Sequence, residues 1–181
     1  HRVSYPANIQ LVAAMNPCRC GMAGEPGHSC AKGPRCMSDY QARISGPLMD
    51  RIDIRIDVPA VSAADLIRPR AAESSATVAA RVARARDMQR RRYVAAGLPA
   101  ATTNARCSTA LIEVVAEPDE PGLKLLRDAA EKMKFSARGY HRILKVARTL
   151  ADLEGQETVG RIHLAEAISY RIAGERLTAA A

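Results

Sequence analysis

Arg51 is the residue whose neighbours best suit it to chemistry. It lies in Ser45-Gly-Pro-Leu-Met-Asp-Arg-Ile-Asp53, directly before a run from Ile52 to Val58. In that run Ile52, Ile54, Ile56 and Val58 alternate with Asp53, Arg55 and Asp57. A period of two predicts a strand, and an arginine at the lip of a sheet carries a guanidinium that cannot retract. Such a group suits stabilisation of a neighbour's phosphate, because its fork of donors is rigid and it stays charged at any ordinary pH. The competing reading is a solvated arginine in an Asp-Arg-Ile-Asp charge cluster, and these residues alone do not choose between the two.

A second constellation is built from thiols. Four of the five cysteines, Cys18, Cys20, Cys30 and Cys36, fall in one loop together with His28. No secretory signal is visible, which favours metal ligation over disulfides. Four thiolates satisfy a tetrahedral Zn²⁺ in a closed, structural site. Successive cysteines are separated by one, nine and five residues, unlike the familiar Cys-x-x-Cys pairing, so a metal-free loop and disulfides remain as alternatives. Cys107 stands alone and reads as an inert residue at a helix terminus.

Three further features carry polar chemistry. Asn16 sits where an apolar run ends, and an amide at the C-terminal end of a strand suits the ligand crevice of an α/β sheet; the alternative is an ordinary Asn-Pro turn. Arg138, Arg142 and Lys145 recur at helical spacing, which an ordinary solvated face also explains. Arg138 is distinctive because it falls in a first helical turn, where the dipole disfavours cations and a phosphate would offset that cost. The segment 81–92 contains Arg81, Arg84, Arg86, Arg90, Arg91 and Arg92 against a single acid, Asp87. Arg81, Arg84 and Arg92 leave the apolar stripe free and are expected to face solvent, either to meet a nucleic-acid backbone or to keep the helix soluble.

Elements that could position these groups follow from the pattern. Asn8 to Ala14 predicts a short strand ended by Asn16-Pro17, and residues 18–37 an irregular Cys-rich loop. Ser38 predicts a cap for a helix over about 39–45, broken by Gly46-Pro47, before the strand that Pro59 closes. Ser74 or Ser75 caps a long helix ending at Gly97, with Val78, Val82, Ala85 and Met88 as its stripe. Helices follow at about 109–117, 121–134, from Ser136 to Gly155, and 161–172. The fourth of these five buries Tyr140, Ile143, Leu144, Ala147, Leu150 and Ala151. The last presents Leu164, Ala165 and Ile168. The expected fold is mainly α: two strands forming the tail of an α/β domain over residues 1–60, a linker at 61–72, and a helical bundle over 73–181.

Composition narrows the partners. With 27 Lys and Arg against 19 Asp and Glu in 181 residues, the net charge is +8 and the pI about 9.6, a balance that favours polyanions. Aromatic residues make up 3%, without tryptophan, so base-stacking platforms are poorly supplied and nucleic-acid contacts should fall on phosphates. No apolar run approaches the length of a membrane span, and a cytoplasmic location is expected. The chain opens on His1 and reads as a piece excised from a longer protein. It contains no Gly-x-x-x-x-Gly-Lys-Ser/Thr loop.

Several long segments resemble the YifB/ComM proteins, bacterial AAA+ ATPases often labelled magnesium chelatase-like. They are Leu11-Val-Ala-Ala-Met-Asn-Pro-Cys-Arg-Cys-Gly21, Ile44-Ser-Gly-Pro-Leu-Met-Asp-Arg-Ile-Asp53, Glu73-Ser-Ser-Ala76, the stretch from Ser136 to Asp152, and His163-Leu-Ala-Glu-Ala-Ile-Ser-Tyr-Arg171. The resemblance covers nearly the whole chain. It implies the end of an AAA+ αβα core followed by the helical lid. Asn16 would be the sensor-1 residue orienting attacking water, Arg51 the arginine finger reaching an adjacent subunit's nucleotide, and Arg138 sensor 2. The implied cofactors are ATP and Mg²⁺, with structural Zn²⁺ at the cysteines. The implied assembly is a hexameric ring that acts on DNA in branch migration. Arg81, Arg84, Arg91 and Arg92 are the candidate nucleic-acid contacts. Without phosphate loop and Walker B carboxylates the 181 residues alone should not hydrolyse ATP, and residues 1–60 lack the strands that would complete their sheet. The alternatives are a magnesium chelatase subunit inserting Mg²⁺ into a porphyrin, and a non-enzymatic, zinc-stabilised DNA-binding module.

Overall fold

Short oxygen-bearing side chains decide where most of the helices begin. In the computed structural model, Ser45, Ser74, Ser108, Asp119 and Ser136 each accept a hydrogen bond from the backbone N–H three residues on. Each thereby satisfies one of the amides that a helix N-terminus leaves unpaired. The structure describes residues 2–6, 9–21, 30, 32–33, 35–59, 61, 66–67, 72–99 and 102–172. Among them the helices are α1 (Arg35–Gln41), α2 (Gly46–Met49), α3 (Ser75–Ala95), a 3₁₀ turn (Asn104–Arg106), α4 (Thr109–Val115), α5 (Glu120–Met133), α6 (Ala137–Leu153) and α7 (Arg161–Ile172). The described residues divide into two compact units, one ending at Arg43 and one starting at Ile44. None of the described helices is long and apolar enough to cross a membrane.

The mainly helical class is as expected, but the two strands do not form. Among the described residues, strand-type pairing is confined to an isolated bridge between Pro118 and Val159. Within the first run Asn8 lies outside the described residues, and Ile9, Leu11 and Val12 are exposed. In the second, Ile54, Ile56 and Val58 are exposed. Alternation fixes which face of a strand would be buried, yet a strand is stable only when a neighbour takes up its backbone hydrogen bonds. Neither run finds that neighbour among the described residues. Likewise Gly46-Pro47 starts a one-turn helix rather than ending one, because proline is tolerated where the first-turn amide is unpaired anyway.

In the second unit the core is organised around α6, which packs against α7, α3 and α4, while α5 packs on α7. Ile143, Leu144, Ala147 and Ala151 of α6 meet Leu164, Ala167 and Ile168 of α7, Ile112 of α4 and Leu126 of α5 in one cluster. Burying each of the larger aliphatic side chains contributes about 1.5–3 kcal/mol. The expected stripe of α3 is shifted, however. Val78 and Val82 are exposed, and Ala85, Gln89 and Tyr93 are buried, so only the C-terminal half of α3 docks.

What docks it is polar. The Asp152 carboxylate, 2% exposed, accepts from Arg148 Nε at 3.1 Å, Arg92 Nη1 at 3.1 Å, Arg92 Nη2 at 2.5 Å and Asn104 Nδ2 at 2.8 Å. The Tyr93 hydroxyl donates to Asn104 Oδ1 at 2.7 Å, and Asn104 Nδ2 also reaches Thr149 Oγ1 at 3.0 Å. The Arg148 guanidinium is further occupied by the carbonyls of Gln156 and Glu157. Burial pulls the pKa of Arg148 below its ordinary value despite Asp152. Arg92 is also desolvated, but the hydrogen bond and charge of Asp152 outweigh this and hold it above its ordinary value. The difference follows from depth: the Arg148 side chain is 1% exposed and that of Arg92 19%. Asp152→Ala would remove the counter-charge of two guanidinium groups, leaving Arg92 Nη1 and Nη2 and Arg148 Nε without the carboxylate they donate to. It is expected to lower the unfolding free energy by about 3–5 kcal/mol, against about 1–2 kcal/mol for Tyr93→Phe, as read by urea titration followed by circular dichroism.

Candidate functional site

The first unit gathers the thiols. The Sγ atoms of Cys18, Cys20, Cys30 and Cys36 all lie within 4.8 Å of one another, although His28, in the same loop, lies outside the described residues. Cys20 Sγ is 3.1 Å from both Cys18 Sγ and Cys30 Sγ, and no pair is joined as a disulfide. Local turns shape the backbone around the cysteines. Gly21 N–H donates to Cys18 O at 3.1 Å, Gly33 N–H to Cys30 O at 2.8 Å and Cys36 N–H to Gly33 O at 3.2 Å. Gly21 and Gly33 take φ of +80° and +72°, a region that suits glycine. Four sulfurs around Zn²⁺ at about 2.3 Å stand about 3.8 Å apart, so this cluster needs only small shifts to fit the ion. The Cys30 thiol is pushed up to about 12, first by its hydrogen bond with Cys20. A divalent cation reverses that preference, because a coordinating thiol loses its proton. Cys107 is buried in the core of the other unit.

Asn16 belongs to the first unit as well. It is exposed, outside any helix, just before a turn in which Gln41 Nε2 donates to Pro17 O at 3.2 Å. Next to Cys36, the side chains of Arg19, Lys32, Asp39, Tyr40 and Arg43 line a cleft of about 190 Å³.

Arg51 is exposed in the turn that follows α2. Its N–H donates to Leu48 O at 2.9 Å and its Nη1 to Pro47 O at 2.7 Å. The expectation placed it at the lip of a sheet; without that sheet, the segment is tied to helices instead. Arg142 of α6 pairs with Asp53, and Arg55 N–H donates to Tyr170 O of α7 at 3.0 Å. Arg138 lies in the first turn of α6 and is exposed. Arg51 and Arg138 share the second unit, whereas Asn16 lies in the first. Of the basic stripe, Lys145 is used internally, donating to Ala105 O at 3.0 Å and Cys107 O at 2.7 Å.

On α3 the four candidate cations separate. Arg84 is exposed, Arg91 is exposed beside Asp87 at 3.4 Å, and Arg81 holds Glu73 through two contacts of 3.0 Å. That contact lowers the pKa of Glu73 and raises that of Arg81, first through the hydrogen bond. Arg92 corrects the expectation of a solvent-facing group: it points inward and its donors are committed to Asp152. The deciding residues that pattern reading passed over are Asp50, Asn104, Arg148, Asp152 and Arg171. Arg148 and Arg171 did leave a signal, as cations at positions of α6 and α7 where the 3.6-residue period asks for an apolar side chain.

A family model described as magnesium chelatase, subunit ChlI C-terminal, matches residues 72–171. Another, described as magnesium chelatase, subunit ChlI, matches residues 1–66. Competence protein ComM of Haemophilus influenzae is 37% identical over 171 residues, covering 94% of this chain and 32% of the relative. An uncharacterized protein of Mycobacterium tuberculosis is 37% identical over 177 residues, 95% of this chain and 33% of the relative. YifB of Salmonella typhimurium is 35% identical over 175 residues, 94% of this chain and 32% of its own. The chain spans about a third of the length of these relatives.

One Zn²⁺ per chain is expected to bind, with Co²⁺ giving the thiolate charge-transfer absorption of a four-sulfur site. Cys18→Ser and Cys36→Ser are expected to remove that absorption and Cys107→Ser to leave it intact. Because binding displaces thiol protons, affinity should fall as pH is lowered, measured by competition with a chromogenic chelator.

Proposed function

This chain belongs to the magnesium chelatase subunit ChlI family, and on that premise we propose that it is the C-terminal part of an AAA+ ATPase that moves on DNA. Residues 1–60 are the end of the ATPase core and 73–181 its helical lid; the phosphate loop and Walker B carboxylates come from a preceding part of a longer, cytoplasmic protein that works as a ring. The observation that carries the DNA reading is the 37% identity to a relative named for competence. The net charge of +8 supports it, as do the exposed Arg84 and Arg91 on α3.

In this reading ATP with Mg²⁺ would supply the phosphoryl chemistry when bound, and the chain's own residues do the positioning. Asn16 Oδ1 and Nδ2 orient the attacking water. Arg51, whose backbone N–H is held by the Leu48 carbonyl and whose Nη1 donates to the Pro47 carbonyl, would turn its guanidinium to the charge developing on a neighbouring subunit's γ-phosphate. Arg138, at the head of α6, couples the lid to the phosphates; its position in the first turn is unfavourable for a cation until an anion arrives. Arg81, Arg84 and Arg91 contact the DNA backbone, while Zn²⁺ held by Cys18, Cys20, Cys30 and Cys36 closes the loop after Asn16. Branch migration during uptake and recombination of DNA is the activity that joins these parts.

The second reading, insertion of Mg²⁺ into a porphyrin, is favoured by the description of the family model itself. The full-length protein separates the two. DNA-stimulated ATP hydrolysis is expected, and Arg51→Ala should reduce it by about 10³-fold or more with unchanged circular dichroism. Replacing Arg84 and Arg91 by alanine should weaken DNA binding and flatten its salt dependence by about two phosphate contacts. Hydrolysis indifferent to DNA, but raised by a porphyrin-carrying partner, would replace the DNA reading with the metal-insertion one.

A further inference from the structure

We infer that Asp50 and Arg171 are a positioning pair that locks the Arg51 turn onto α6 and α7, so that this arginine and the helical lid move as one body. The role for Arg51 rests on the reading above; the lock itself rests on geometry alone.

Arg171 is near the end of α7 and only 7% exposed. Its Nη2 donates to Asp50 Oδ1 and lies 3.4 Å from Asp50 O. The other side of the same carboxylate is taken by α6: Ser136 Oγ donates to Asp50 Oδ2 at 3.2 Å. Ser136 also caps α6, accepting from Gly139 N–H at 3.0 Å. One carboxylate therefore bridges the first turn of α6 and the last turn of α7. Asp50 directly precedes Arg51 in the chain, and Ser136 lies two residues before Arg138.

Room for the bridge is made by a missing side chain. A Cβ on Gly139 would stand 2.9 Å from Arg171 Nη2, 3.1 Å from Nε and 3.2 Å from Cζ. Only glycine lets the guanidinium lie against α6 where it meets Asp50. Two further ties follow along the segment. Asp53 pairs with Arg142, and Arg55 reaches the Tyr170 and Arg171 carbonyls through its N–H and guanidinium.

Exposure ranks these ties. The Asp53 side chain is 55% exposed, and such pairs contribute little. Asp50 is 28% exposed and Arg171 8%. Losing Asp50 would strand a buried cation, Arg171, whose Nη1 already has no hydrogen-bond partner, and an uncompensated buried charge is strongly unfavourable. The pair therefore holds a turn that has no sheet to hold it. A displacement of α6 by a phosphate at Arg138 is transmitted through Ser136 and Asp50 to Arg51.

The test begins with the 181-residue chain and its variants Asp50→Asn, Arg171→Gln, Gly139→Ala and Asp50→Asn/Arg171→Gln. The readouts are hydrogen exchange at the Arg55 amide and the rate of tryptic cleavage after Arg51. Each single change is expected to raise both by about tenfold, as loss of coupling between contacting residues would. The double variant should do no more than the larger single, and exchange of the Leu144 and Leu164 amides should be unchanged. Rates at the wild-type level, or single effects that add fully in the double, would overturn the pair. In the full-length ATPase, Asp50→Asn and Arg171→Gln should lower kcat with the KM for ATP unchanged, and Arg171→Lys should recover part of the loss. If Arg51→Ala abolishes hydrolysis while the pair variants keep wild-type kcat, the positioning role is overturned. If Arg51→Ala itself hydrolyses ATP normally, the phosphate role of Arg51 falls, and the exchange data still decide the lock.

Discussion

A carboxylate buried among cations holds the helical unit together. Asp152 is sealed from water at the C-terminal end of α6, and four donor atoms from Arg92, Asn104 and Arg148 converge on it. Desolvating a charge is costly, so the arrangement is tolerable only because every contact is made at once. That requirement links α3, the 3₁₀ turn and α6 in one register, since Arg92, Asn104 and Asp152 come from three separate elements. The apolar packing of α6 on α7 contributes more area, but area alone permits sliding. The polar cluster does not, because a shift of one residue would leave a buried ion without its partner.

The same principle recurs at the edge of the unit with the opposite exposure. The turn bearing Arg51 has no sheet to hold it, and Ile54 and Ile56 beyond it stay in solvent while Ile52 is half-buried. It is positioned through Asp50, which precedes the alternating run, and through Asp53 and Arg55, which that pattern assigns to a polar surface. These ties hold the turn to α6 and α7 in place of a sheet.

The first unit is stabilised by different means. Between Asn16 and α1 the described residues contribute few buried apolar side chains, Cys18 and Cys36 being the buried ones. A segment of that kind lacks the area to fold on hydrophobic burial alone, and its four clustered thiols are a donor set with which a closed metal site would offset the deficit. The cations lining the adjoining cleft, Arg19, Lys32 and Arg43, extend the basic character of the chain to this unit.

The helices were legible in the sequence because their determinants are local. Ser74, Ser108 and Ser136 cap them, periodic apolar residues run through α5 and α6, and prolines and glycines stop them. The cysteine cluster was legible from composition. Tertiary structure alone decided whether the alternating runs became strands, because that depends on partners a local pattern cannot supply. It alone turned Arg92 inward and left Val78 and Val82 outside, since Asp152, sixty residues further along the chain, competes for the arginine more strongly than water does. Sequence periodicity records which side chains prefer burial; which charges end up facing each other is set by elements far apart in the chain, through interactions that weaken steeply once water lies between them.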